Sequence, residues 1–127
     1  MIRFVLALVA LMGGIPAYAS DLVVREVLQE QPLSDVPDMT VRITHVTVKP
    51  GGRIPLHSHA GDEHAVVLKG GSVEMADGAT RVFAAGQALF FSAGDVHGGV
   101  TNAGETDIEI LTTHVVNVYE PFSSPAE

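Results

Sequence analysis

Past residue 20, no window of the chain repeats apolar residues at convincing helical spacing. Short β-branched runs broken by glycine-rich turns recur instead. Residues 41–48 (VRITHVTV) end at Pro50-Gly51-Gly52, a strong turn signal. Residues 65–68 form a second run, closed by Gly70-Gly71. Residues 73–75 and 80–83 flank Ala76-Asp77-Gly78-Ala79, where the Asp-Gly pair predicts a hairpin. Residues 88–91 are a short apolar strand before Ala93-Gly94-Asp95, and residues 108–118 are the longest β-prone run. Residues 22–29 are the best helix candidate, and only as a weak turn. Many short strands at near-regular spacing predict an all-β sandwich or barrel.

The first nineteen residues read differently. Arg3 precedes an apolar run over residues 4–12, Gly13, Gly14 and Pro16 interrupt it, and Ala17-Tyr18-Ala19 has the small-x-small pattern of a cleavage site. The run is too short to span a bilayer, so a cleaved signal peptide over 1–19 is expected. Cleavage leaves about 108 residues, enough for one core. The chain has no cysteine, which excludes a disulfide, a thiolate metal site or a lipidated cysteine. The expected organisation is a signal peptide over 1–19, an N-terminal arm over 20–40, a barrel over 41–118 and a tail over 119–127. The expected location is periplasmic or secreted. Without Arg3, six basic residues face fifteen acidic ones. Such a surface repels phosphate backbones and anionic lipid, so neither nucleic acid nor, after cleavage, a membrane is an expected partner.

Half of the six histidines fall in one stretch, His57-Ser58-His59-Ala60-Gly61-Asp62-Glu63-His64. Side chains alternate along a strand, so His57 and His59 point the same way and can reach one ion. If the chain turns back over Ala60-Gly61-Asp62, Glu63 faces the same interior. His64 then points outward, and Asp62 is a solvent-exposed turn residue. His97 follows Gly94-Asp95-Val96 at the start of a new strand, from which it could project into the same cavity. Three imidazoles and one carboxylate suit a divalent transition metal and leave one or two coordination positions open.

Two motifs carry a family resemblance. Gly51, five residues, His57-x-His59, three residues, Glu63, six residues and Gly70 resemble the first motif of the cupin superfamily. Gly86, five residues and Ser92-x-Gly94-x-x-His97 resemble the second, with fifteen residues between Gly70 and Gly86. Ser92 stands where the family usually has proline, and Asn102 falls one residue later than usual. The resemblance spans roughly residues 41–118. It implies a double-stranded β-helix, a jelly-roll barrel of two antiparallel sheets. It also implies one divalent metal (manganese, iron, nickel, copper, cobalt or zinc) held inside by His57, His59, Glu63 and His97.

The other histidines read more plainly. His45 and His64 are expected on the outer face, where Val66 and Leu68 accompany His64 and favour a homodimer. His114 shares a face with Ile108, Ile110, Val116 and Val118. It is either a core or rim histidine or, if that face lines the barrel, a neighbour of the metal ligands. Met39, Met75, Phe83, Phe90 and Phe91 are expected in the core or the pocket wall. No nucleophile elbow, nucleotide-binding glycine motif or acid–base pair is visible, and no catalytic residue is assigned; His114 and Tyr119 are distant candidates for a base. The expected function is a metal-dependent enzyme acting on a small oxygen-rich molecule, of oxidoreductase, isomerase or lyase type. The alternatives are a non-catalytic small-ligand or metal-binding module and an accessory subunit.

Overall fold

The computed structural model describes residues 19–127. Except for Ala19, the expected signal segment lies outside the described residues. Among those described, no helix is long and apolar enough to cross a membrane. A short 3-10 turn, Ala19–Leu22, leads into strands β1 (Val23–Leu33), β2 (Val36–Val48), β3 (Arg53–Ile54), β4 (His57–Ser58) and β5 (Glu63–Lys69). Strands β6 (Gly71–Glu74), β7 (Thr80–Phe83), β8 (Ala88–Phe91), β9 (Val100–Asn102), β10 (Ile108–Asn117) and β11 (Ser124–Pro125) follow. They form an antiparallel five-stranded sheet in the order β1-β2-β10-β5-β8 and a four-stranded sheet in the order β3-β9-β6-β7. A two-stranded β11-β4 ribbon completes the set. The fold is the expected all-β jelly-roll barrel.

Period-two alternation builds the interior. Along β10, Ile108, Ile110, Thr112, His114 and Val116 are buried and their neighbours are less so. Cross-strand register arranges these residues in rungs. Ile108 lies opposite Val48, and Ile110 lies between Val46 and Val67. Thr112 lies between Thr44 and Ala65. The last rung runs Arg42–His114–Glu63–Phe91 across β2, β10, β5 and β8. The barrel therefore grades from an apolar end to a polar one. The core of Val23, Val46, Val48, Ala65, Val73, Ile108 and Ile110, with Ile54, Met75, Phe83 and Leu89 packed on it, supports the polar rung from below.

Three expectations change. Residues 22–29 are not helical: the segment is mostly β1, an edge strand paired with β2 and bulged at Leu28. Its apolar spacing looks helical locally, but β2 would otherwise leave a row of backbone donors and acceptors unpaired, and pairing outweighs local preference. Phe90 is not a wall residue. It alternates with Phe91, faces outward and is 54% exposed, with its ring against His64. Val118 lies past the end of β10 and is exposed.

Gly61 makes the turn between His59 and Glu63 possible. A Cβ there would lie 1.6 Å from the carbonyl oxygen of Val115, a backbone atom that cannot step aside cheaply. Gly78, in the β6–β7 hairpin, has φ +81° but open space around it. Gly61→Ala should therefore destabilise the protein by about 3 kcal/mol or more, and Gly78→Ala by only about 1 kcal/mol from backbone strain. Urea denaturation of the two variants checks this order.

Candidate metal centre

The two histidine-bearing segments meet through their backbones. His57 N donates to the His97 carbonyl and His97 N to the His57 carbonyl, each at 2.9 Å. Gly98 and Gly99 follow with φ +84° and +64°, a conformation that favours glycine. A Cβ on Gly98 would also lie 2.4 Å from the Pro55 carbonyl oxygen and 3.0 Å from the His57 ring. Asn102, almost fully buried, ties β9 back to the barrel. Its side chain donates to the carbonyls of Val48 and Thr106, and its carbonyl oxygen accepts from Gly104 N.

The structure brings His57, His59, Glu63 and His97 together, with one donor atom from each within 4.8 Å of every other. A carbonyl oxygen only accepts, so each ring nitrogen facing one must carry hydrogen. Nδ1 of His57 donates to Pro55 O at 2.8 Å, and Nδ1 of His97 to Asp95 O at 2.9 Å. Nδ1 of His59 donates to Phe122 O. These bonds leave Nε2 of every neutral ring as a lone pair, and all three Nε2 atoms converge. Nε2 of His57 and His59 lie 3.1 Å apart. Nε2 of His97 lies 2.7 Å from Glu63 Oε2, and that of His59 3.4 Å from it. So many acceptors at such distances repel unless a proton or a cation sits among them. The donor set thus fits a divalent metal ion.

The charge states follow from the same contacts. Burial, the largest influence on Glu63, pushes its pKa up. The imidazoles of His114, His59 and His97 together outweigh it and hold the group far below the ordinary carboxylate range. Burial also lowers His97, but the hydrogen bond to Glu63, the Asp95 carbonyl and the charges of both acids raise it overall. At His57, burial outweighs the raising effect of the Pro55 carbonyl and, with the charges of His97 and His59, keeps the ring neutral to lower pH.

His114 belongs to this site. It is 5% exposed, its ring contacts His59, and its Nε2 lies 3.2 Å from Glu63 Oε2, but off the hydrogen-bonding direction. Both its nitrogens therefore lack a hydrogen-bond partner among the described residues, at a typical cost of about 1–3 kcal/mol for such a group. His64 is exposed on the outer face, His45 pairs there with Glu109 at 3.1 Å, and Asp62 is an exposed turn residue that accepts from Ala93 N. Tyr119 is 79% exposed and lies outside the cavity wall.

One contributor was not foreseen. Residues 122–126 fold back over the site: β11 pairs with β4, and the Phe122 ring packs on His59 and His114. No motif marks this segment. Its only trace in sequence is one phenylalanine between Pro121 and Pro125, which favour extended backbone. The donors open into a cavity of about 560 Å³, walled largely by apolar side chains including Ile54, Leu56, Phe83, Leu89 and Phe91. The Phe91 ring stacks on His97 at 4.1 Å.

Comparison with known proteins places this geometry. Residues 44–114 match the family model described as cupin domain. Among solved structures, an RmlC-like cupin protein from Desulfovibrio desulfuricans is 24% identical with a TM-score of 0.56, over 87% of this chain and 96% of its own. A DMSP lyase, DddQ, from Ruegeria pomeroyi DSS-3 is 17% identical with a TM-score of 0.59, over 84% of this chain and 53% of its own. An oxalate oxidase in complex with glycolate is 22% identical with a TM-score of 0.54, over 86% of this chain and 58% of its own. At these identities the likeness is one of fold. No curated protein matches the chain.

The Glu63–His97 pair makes the stability of metal-free protein depend on pH. A depressed carboxyl contributes fully above the unfolded value of about 4.3, and a raised histidine fully below about 6.5. Both contributions are therefore complete between those values. The first is lost as pH falls below the window, and the second as pH rises through the raised His97 value. Because the lowered His57 favours the fold in full only above about 6.5, melting temperature measured against pH with chelator present should peak near the upper end of that window, and Glu63→Gln should flatten the acid side.

Proposed function

This chain belongs to the cupin family, and from that premise we propose that it binds one divalent transition metal ion through His57, His59, Glu63 and His97. We propose that it uses the ion as an enzyme acting on a small oxygen-rich molecule. The observation that carries the reading is the convergence of three Nε2 lone pairs, each set by a backbone carbonyl behind its ring, beside a carboxylate at the wall of a 560 Å³ cavity. A bound ion of this kind supplies a Lewis-acidic or redox-active centre with open positions for substrate oxygen. Around it, the apolar walls limit water, and Glu63, held ionised by the surrounding imidazoles, supplies the site's negative charge. Manganese, iron, nickel, copper, cobalt and zinc all suit these ligands. The structural neighbours include a lyase and an oxidase, so the reaction class is left to a substrate screen. Full metal occupancy and ligand binding without turnover would favour a binding module instead.

The proposed setting is the periplasm or the extracellular space, supported by the apolar run and Ala17-Tyr18-Ala19. The outer face also exposes Val66, Leu68 and Phe90, which supports a homodimer. Light scattering at micromolar concentration should give twice the mass of one chain, and Leu68→Glu should shift it to one.

Metal content by elemental analysis should fall sharply in His57→Ala, His59→Ala and His97→Ala, and stay at one ion per chain in His64→Ala. Deleting residues 121–127 removes the acceptor behind His59 and should weaken metal binding by about tenfold or more. In the metal-free protein, His97 Nε2 needs a proton to bond Glu63, so binding should release it. Calorimetry in buffers of different ionisation enthalpy should show about one proton released near pH 6, and fewer as pH rises.

A further inference from the structure

Two cations line the cavity that the metal ligands do not use. Arg25, an exposed residue at the rim, stands on β1 opposite Val46, and Arg42, about a quarter exposed, stands on β2 opposite His114; both contribute to the cavity wall. Among the described residues Glu63 is the sole carboxylate in the wall, although the whole chain carries a formal net charge of −8. Arg25 has no ion-pair partner among the described residues. Arg42 uses Nε on Glu30, a half-exposed residue outside the cavity wall, and its guanidinium lies 4.3 Å from the centre of the Phe122 ring. That bond leaves the two terminal nitrogens of Arg42 for a planar anion. Beside Arg42 on the same rung sits His114, buried, with no hydrogen bond to either ring nitrogen and only Nε2 near a carboxylate, Glu63 Oε2 at 3.2 Å.

These three residues share one need. A buried imidazole with no hydrogen bond wants a polar partner, and the Arg42 guanidinium, with two nitrogens free beside an apolar wall, draws an anion that Arg25 attracts from the rim. We propose that the cavity takes a monoanionic small molecule with an apolar body. Its carboxylate sits on Arg42 and reaches His114 on the same rung, with Arg25 attracting it from the rim, and its body lies against Val27, Val46 and Phe122. The far end reaches the metal, and that part alone rests on the function proposed above. A cation would be repelled by both arginines, and a neutral ligand would bring Arg42 no counter-charge.

Phenylacetate and its neutral isostere phenylacetamide are the probes, titrated by NMR into metal-loaded and chelator-stripped protein. Phenylacetate should bind both forms, and phenylacetamide at least about tenfold more weakly, the loss of one charge-assisted contact. Arg42→Gln should weaken phenylacetate about tenfold with metal content unchanged, Arg42→Lys should fall between, and Arg25→Gln should weaken it by less, the loss shrinking as salt is added. His114→Ala should weaken it while retaining metal. Equal affinity for the two probes overturns the proposal, as does undetectable binding of phenylacetate. If phenylacetate binds only with metal present and ignores both arginine variants, its carboxylate sits on the ion; the arginine site then falls and the metal reading stands. If the arginine variants lose binding in a protein that takes up no metal, the metal reading falls and the anion site stands. Loss of metal in His114→Ala would make that residue a ligand and remove it from the anion site.

Discussion

The reciprocal backbone pair between His57 and His97 is the contact on which the site depends. The two residues are far apart in sequence and belong to short, irregular segments with little regular pairing of their own. Two 2.9 Å hydrogen bonds join them, and Gly98 and Gly99 turn the chain away at once, in a conformation that favours glycine. Once joined, the two rings lie with centroids 4.4 Å apart and their Nε2 atoms face the same point. The opposite sheet then delivers Glu63 from the first position of β5.

The barrel itself explains why that point is polar. Its rungs pass from Val48–Ile108 to Arg42–His114–Glu63–Phe91 in steps of two residues, so one alternation places both the core and the site on the same inner face. The apolar rungs hold the sheet in register, and the polar rung is held by that register. Ordering is therefore completed before any ligand arrives, which is the condition for converging lone pairs that would otherwise repel. The backbone carbonyls of Pro55, Asp95 and Phe122 complete it by holding each ring in a single tautomer.

Residues 122–126 bring the segment after β10 back to this centre. Phe122 supports His59 through its carbonyl, covers His114 with its ring and lies under the Arg42 guanidinium. One side chain thus couples the ligand set to the charged side of the cavity, so disturbing it reaches both.

Much of this was legible in the sequence. Strand alternation and the Gly61 turn placed His57, His59 and Glu63 toward one interior and sent His64 outward, because period two is a local property of the chain. The all-β reading rested on β-branched runs and turn residues, which are local as well. Other features were decided only by tertiary structure. β1 is a strand because β2 has an edge to pair, whatever its own apolar spacing suggests. Alternation put His114 on one face with Ile108 and Ile110 but left open whether that face lines the barrel; the β10–β5 register decides it and sets the distance to Glu63. Arg25, Arg42 and Phe122 carry no motif at all. They meet because sheet pairing and the returning C-terminal strand bring distant residues within a few ångströms, and no spacing along the chain encodes that distance.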